Sequence, residues 1–167
     1  MAYRNILTKE QSLLYKKSRP VTEFNGRLHQ LLDDMRETLA ASDGVGLAAP
    51  QVGVLRRVVL VLETNVAEDE EEYVIELINP ELIDMAGSQT GAEGCLSVPG
   101  EYGIVTRPYR AKVRAQDRFG NFFEVEGEGL TARCFCHEID HLEGVLFTSL
   151  SERMLSQEEL ESGEISE

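Results

Sequence analysis

A chain of 167 residues can bury one sizeable core and is too short to need dividing, so a single domain is expected. Hydrophobic residues at 42% and charged residues at 28% match a globular protein and exclude a fibrous or disordered chain. Sixteen basic against thirty acidic residues leave a net charge of −14, which repels a phosphate backbone and argues against direct nucleic-acid binding.

At the N-terminus, MAYRNILTKEQ lacks the apolar core of a signal peptide, and no stretch approaches the length of a membrane span, so a cytoplasmic location without membrane attachment is expected. From Phe24 to Leu39 the residues Phe24, Leu28, Leu31, Leu32, Met35 and Leu39 recur at three- and four-residue steps, which predicts a helix that stops near Ser42-Asp43-Gly44. Arg56 to Glu63 and Tyr73 to Asn79 read as strands on either side of a solvated acidic loop at Ala67 to Glu72. Ala111 to Gln116 and Phe122 to Glu126 flank DRFGN, which predicts a hairpin whose loop contains Gly120. A second helix is expected over Leu130 to Leu142, stopped by Gly144. In the acidic tail, Ser156 and Glu159 stand at capping-box spacing, so a short last helix is expected to start there before the end frays.

The second helix carries HEIDH at 137–141, a match to H-E-x-x-H in the helical context that the motif needs. Residues i and i+4 share a helix face, so His137 and His141 can reach one ion while Glu138, one step round, reaches the ion's water. The competing reading is a surface helix with chance histidines, but only His29 exists besides these two. For a third ligand, a metzincin continuation fails because position 147 is Phe, and Glu158, Glu159 and Glu161 lie in a tail that reads as solvated. Cys95 in EGCLSVPG is the better candidate, and a thiolate beside imidazoles suits iron, zinc or nickel. Cys134 shares the face of His137 but leans toward the helix N-terminus, which makes it pocket wall, and Cys136 falls on another face as core packing. An odd cysteine count in a reducing compartment argues against a disulfide framework.

Three blocks, GVGLAAPQ at 44–51, EGCLS at 93–97 and HEIDH at 137–141, together resemble peptide deformylases in their order and separation. The resemblance covers most of residues 1–150, which it implies is the catalytic domain, with 151–167 as an acidic tail. With the predicted elements it implies an α+β fold, mixed or antiparallel β-sheets packed around a central helix carrying HEIDH, plus an N-terminal helix. It implies hydrolysis of the formyl group from formyl-methionine at the start of nascent polypeptides, with release of formate. Cys95, His137 and His141 would be ligands of one divalent ion, Fe2+ in the cell, with Zn2+ or Ni2+ also suited. Glu138 would take the proton of the attacking water and return it to the leaving amine, and the Gln51 side-chain amide and Leu96 backbone N–H would face the oxyanion.

The resemblance further implies that the peptide pairs with the backbone of Val45 and Gly46, with Gly94 opposite, and that Val45, Leu130, Arg133 and Cys134 form an apolar pocket for the methionine side chain. Arg133 departs from such a pocket, and its stem is expected to pack there while its head reaches solvent. Glu93 and Arg107 map onto an ion pair near the site, a plain surface pair being the alternative. Asp140 reads either as a group steadying the ligand helix or as a surface carboxylate. Some members of the family are thought to dock on the ribosome through a longer basic extension, and the acidic tail makes a transient ribosome contact by that route doubtful. The competing functions are an H-E-x-x-H zinc peptidase, which leaves EGCLS without a role, and a structural or redox metal module, which leaves Glu138 without one.

Overall fold

The computed structural model describes residues 2–162. Helix α1 (Gly26–Ala40) leads into β1 (Gly46–Ala48), a 3-10 turn over Ala49–Val52, and strands β2 (Val58–Glu63), β3 (Tyr73–Ala86), β4 (Gln89–Cys95), β5 (Val98–Arg107), β6 (Arg110–Gln116) and β7 (Phe122–Glu128). Helix α2 (Leu130–Leu142), a 3-10 turn over Phe147–Ser149, the two-residue β8 (Arg153–Met154) and α3 (Gln157–Ser162) follow. The strands form two sheets, β1-β2-β3-β6-β7 and β4-β5-β8, and every strand pair within them is antiparallel. The expected α+β class holds, in its antiparallel form.

The run VVLV in β2 has no polar alternation because the five-stranded sheet is covered on both faces. Val59 and Val61 pack with Ala132, Phe135 and Leu142 of α2, whereas Val58 and Leu60 pack with Leu28, Leu32, Met35 and Leu39 of α1. The sheet is thus sandwiched between the two helices, and α2 lies deep in the molecule. Phe24 falls outside α1 because Asn25 caps it, its side chain accepting from the Leu28 N–H at 3.3 Å. At the other end of the chain, Gly144 takes φ +76° just past α2 and ends it where expected.

Two differences from the sequence reading have physical causes. Strand β3 runs past Asn79 to Ala86, because Asn79 adopts φ 53° and bulges the strand so that Pro80, which has no N–H to give, is absorbed. Beyond that bulge β3 pairs with β6. The hairpin β4–β5 was not expected, since QTGAEGC and VPGEYGIVTR carry four glycines and a proline between them and score poorly as strands. Its pairing with β8 over Gly103–Met154 and Ile104–Arg153 puts Val98 and Val105 in a third small core with Leu14, Leu146 and Phe147. In the tail, α3 starts with the expected box: Ser156 Oγ accepts from the Glu159 N–H at 3.1 Å and Glu159 Oε1 accepts from the Ser156 N–H at 3.0 Å. The expected fraying falls on the last five residues, outside those described.

Candidate metal centre and its cleft

Helix α2 is amphipathic toward two interiors, with Ala132, Phe135 and Cys136 facing the sheet and Arg133, His137, Glu138 and His141 buried on the other side. Burying four ionisable groups on one helix face is costly unless each finds a partner. For Arg133, His137 and His141 the partners come from β4. A register shift between Gly94 and Cys95 re-aims the strand end, and Cys95 pairs with Val98 across the two-residue turn Leu96-Ser97. Cys95 Sγ then lies 3.3 Å from His141 Nε2, and one donor atom each from Cys95, His137 and His141 falls within 4.8 Å of the others. The structure therefore brings together the three residues that the sequence singled out.

The donors are prepared for a cation. His137 donates its Nδ1 proton to Glu93 Oε2 at 2.6 Å, which leaves the Nε2 lone pair for a ligand role. Burial holds His141 well below the usual histidine range and so keeps it neutral. Glu138 Oε1 and His141 Nδ1 are buried without a hydrogen-bond partner among the described residues. An unpartnered carboxylate oxygen beside two imidazoles and a thiol is what an electrophile or a water would satisfy. Burial raises Glu138 to about 7. By contrast burial pushes the thiol of Cys136 up to about 11 and that of Cys134 higher still, so neither resembles a ligand thiolate. Cys136 packs with the core, as expected.

Behind the histidines stands a buried charge network. Glu93, 5% exposed, accepts from Arg107 Nη2 at 2.7 Å and Nε at 3.1 Å and from Arg133 Nη1 at 2.8 Å, besides His137. Burial alone would raise the Glu93 carboxyl, but the hydrogen bonds from His137 and Arg107 outweigh it and hold the group far below the usual carboxylate range. Arg107 Nη1 also donates to Asp140 Oδ2 at 2.6 Å, so Asp140 ties the outer face of α2 to β5. The Glu93–Arg107 pair is buried, not superficial. Arg133 corrects the expectation of a head in solvent: its residue is 8% exposed and its guanidinium turns inward, because Glu93 supplies the countercharge there and Val105 O a second acceptor at 3.2 Å.

Gln51, on the 3-10 turn after β1, is 1% exposed. Its Oε1 accepts from the Ala48 N–H at 2.9 Å, and its Nε2 donates to Ser97 Oγ at 3.0 Å and lies 3.5 Å from Cys95 Sγ. Ser97, fully buried, is a member of the site that sequence reasoning passed over, although it follows Cys95 by two residues. A cleft of about 430 Å³ opens beside these groups and is lined by Val45, Gly46, Gly94, Leu130, Arg133 and Cys134. Leu130, half-exposed at 49%, stands at its rim. The edge strands β1 and β4 of the two sheets border the cleft and offer backbone groups to it. Gly46 must be glycine: a Cβ there would fall 2.5 Å from Glu138 Oε2.

The profile of the family described as Polypeptide deformylase matches residues 3–156. The chain is 53% identical over 161 residues to the peptide deformylase of Caldicellulosiruptor bescii, covering 96% of this chain and 93% of that one. It is 52% identical over 161 residues to the peptide deformylase of Caldanaerobacter subterraneus, covering 96% and 97%. Among solved structures it is similar to a peptide deformylase from Legionella pneumophila, with TM-score 0.80 and 41% identity over 96% of this chain and 90% of that one. A second similar structure is the peptide deformylase from Thermotoga maritima, with TM-score 0.82 and 36% identity over 90% and 98%.

Proposed function

Because the chain belongs to the polypeptide deformylase family, we propose that it removes the formyl group from N-formylmethionyl nascent peptides, with Cys95, His137 and His141 as metal ligands and Glu138 as the proton carrier. The observation that carries this reading is the convergence of those three donors within 4.8 Å of one another beside a buried carboxylate oxygen with no partner. A divalent ion held there supplies Lewis acidity, bringing the pKa of water toward neutrality and polarising a carbonyl. Thiolate and imidazole donors suit Fe2+, which we assign as the ion in the cell, and also accept Zn2+ or Ni2+.

The protein's own residues do the rest. Glu138 Oε1 takes the proton of the attacking water and returns it to the leaving amine, so that the formyl carbon leaves as formate. Gln51 Nε2 and the Leu96 N–H donate to the oxygen on which charge develops, from positions fixed by Ala48, Ser97 and the β4–β5 turn. The peptide lies extended between the edges of β1 and β4, against Val45, Gly46 and Gly94, and its methionine side chain enters the cleft past Leu130, Arg133 and Cys134. Among the described residues no helix is long and apolar enough to cross a membrane. We place the enzyme in the cytoplasm, acting on chains as they leave the ribosome.

The test is anaerobic purification, a metal assay, and formate release from a formyl-methionyl peptide by wild type and Glu138→Ala. Wild type should release formate, and Glu138→Ala should keep its metal yet lose about 10²–10⁴-fold in rate. Metal-loaded wild type that releases none refutes the proposal, and cleavage of an internal peptide bond instead would establish an H-E-x-x-H peptidase.

A further inference from the structure

We propose that Arg133 is a positioning residue: it holds Glu93, Glu93 holds His137, and the wall of the substrate cleft is thereby coupled to a metal ligand. The proposal rests on the deformylase reading of the site. Leu130, Arg133, Cys134 and His137 stand at i, i+3, i+4 and i+7, one face of α2, so the residue that lines the cleft is one turn from the ligand. An aliphatic side chain would serve a purely apolar wall better than a buried guanidinium, whose desolvation must be offset by a partner.

That partner is Glu93, and the hydrogen-bond geometry shows why one arginine is insufficient. A carboxylate has about four acceptor positions, two on each oxygen. On Oε2 they are filled by His137 Nδ1 at 2.6 Å and Arg107 Nη2 at 2.7 Å. On Oε1 they are filled by Arg133 Nη1 at 2.8 Å and Arg107 Nε at 3.1 Å. Arg107 divides its charge between Glu93 and Asp140, whereas Glu93 is the single carboxylate partner of Arg133 among the described residues. Without Arg133, Oε1 keeps the longest of the four bonds, and rotation of the carboxylate about its last bond is held mainly from the Oε2 side. That rotation sets the direction in which His137 Nδ1–H is gripped, and so where its Nε2 points. A side chain entering the cleft touches the arginine that governs this grip.

The experiment uses the full chain loaded with Ni2+ and follows metal loss to a chromogenic chelator alongside formate release. Arg133→Met keeps the length of the stem and removes the charge, and Arg133→Lys restores one donor. Nickel loss is expected to be about 10–100-fold faster in Arg133→Met and intermediate in Arg133→Lys, with kcat falling more than KM rises. In Glu93→Gln the same Arg133→Met change should add little, since its effect passes through Glu93. Wild-type nickel retention and kcat in Arg133→Met, with only KM changed, would reduce Arg133 to a wall. So would an undiminished effect in the Glu93→Gln background. A lower melting temperature of the metal-free variant with unchanged nickel retention would assign a structural role only and overturn the proposal. Should wild type release no formate, the deformylase reading fails by itself, and the nickel measurements still decide whether Arg133 acts through Glu93.

Discussion

Gly46 and Glu138 occupy neighbouring space from opposite walls of the cleft. A Cβ at Gly46 would meet Glu138 Oε2 at 2.5 Å and Cγ at 2.9 Å, and the buried helix behind Glu138 leaves that side chain little room to retreat. Gly46→Ala should therefore cost at least about 10²-fold in kcat by displacing the proton carrier, with its ligands and metal content intact. Metal analysis beside steady-state formate release checks this, and full activity would show that Glu138 has another place to stand. Gln51 offers a complementary case. Its amide is fixed at both ends, by Ala48 N and by Ser97 Oγ, before any substrate arrives. Removing a fixed oxyanion donor costs roughly 10²–10³-fold in kcat, so Gln51→Ala should show that loss with KM little changed. A loss confined to KM would mean that Gln51 binds substrate and has no part in stabilising the oxyanion.

At the scale of elements, α2 carries both histidines and supplies the centre of the largest core. Phe135 is fully buried between the sheet and the helix, so Phe135→Ala should destabilise the fold by about 3–5 kcal/mol, measured by urea unfolding of the metal-free protein. A cost below about 1 kcal/mol would mean that the sandwich is looser than described. The same helix was legible in the sequence to the residue, because its scarcity of β-branched residues, its stop at Gly144 and its motif agree. Strand β2 was plain from its β-branched run and β6 from the DRFGN turn beside it, with starts off by two residues and one. The hairpin β4–β5 was not, although it delivers Cys95 and Glu93, since its glycines serve close approach and hide the strand from any propensity argument. Nor was the inward turn of Arg133 readable, as it depends on a carboxylate from another sheet that no local pattern announces. The three motif blocks showed which residues belong together; the distances among them required the fold.

At the scale of the whole molecule, charge and metal both bear on stability. Glu76 on β3 accepts from Arg36 of α1 at 2.6 Å and from Arg118 of the β6–β7 turn at 3.0 and 2.6 Å, so one carboxylate joins helix, sheet and hairpin. Burial raises its pKa, but the hydrogen bonds from Arg118 and Arg36 outweigh that and hold it below the usual 4.5. A lowered folded-state value means that its contribution is complete above the unfolded-state pKa of about 4.3 and is lost as pH falls through the folded value. The melting temperature should fall below about pH 4.5, less steeply in Glu76→Gln, and identical slopes would exclude this group.

The metal acts across a different seam. Its expected ligands come from α2, packed under the five-stranded sheet, and from Cys95 at the tip of the three-stranded one. An ion at that point ties the two sheets together, and any ligand that binds only the folded state stabilises it by mass action, about 2.7 kcal/mol at a hundredfold excess over Kd. For a chain of this size that is roughly 5–10 °C in melting temperature, which chelation should remove. The loss should also be local. Amides of β4 and β5 lie on the tethered side, where the small core of Leu14, Val98, Val105, Leu146 and Phe147 is the main apolar support, whereas β2 is buried between two helices. Hydrogen exchange after chelation should therefore quicken in β4 and β5 well before β2 responds. Equal acceleration of both sheets would mean that the ion stabilises the molecule globally and that the seam at Cys95 does not open by itself.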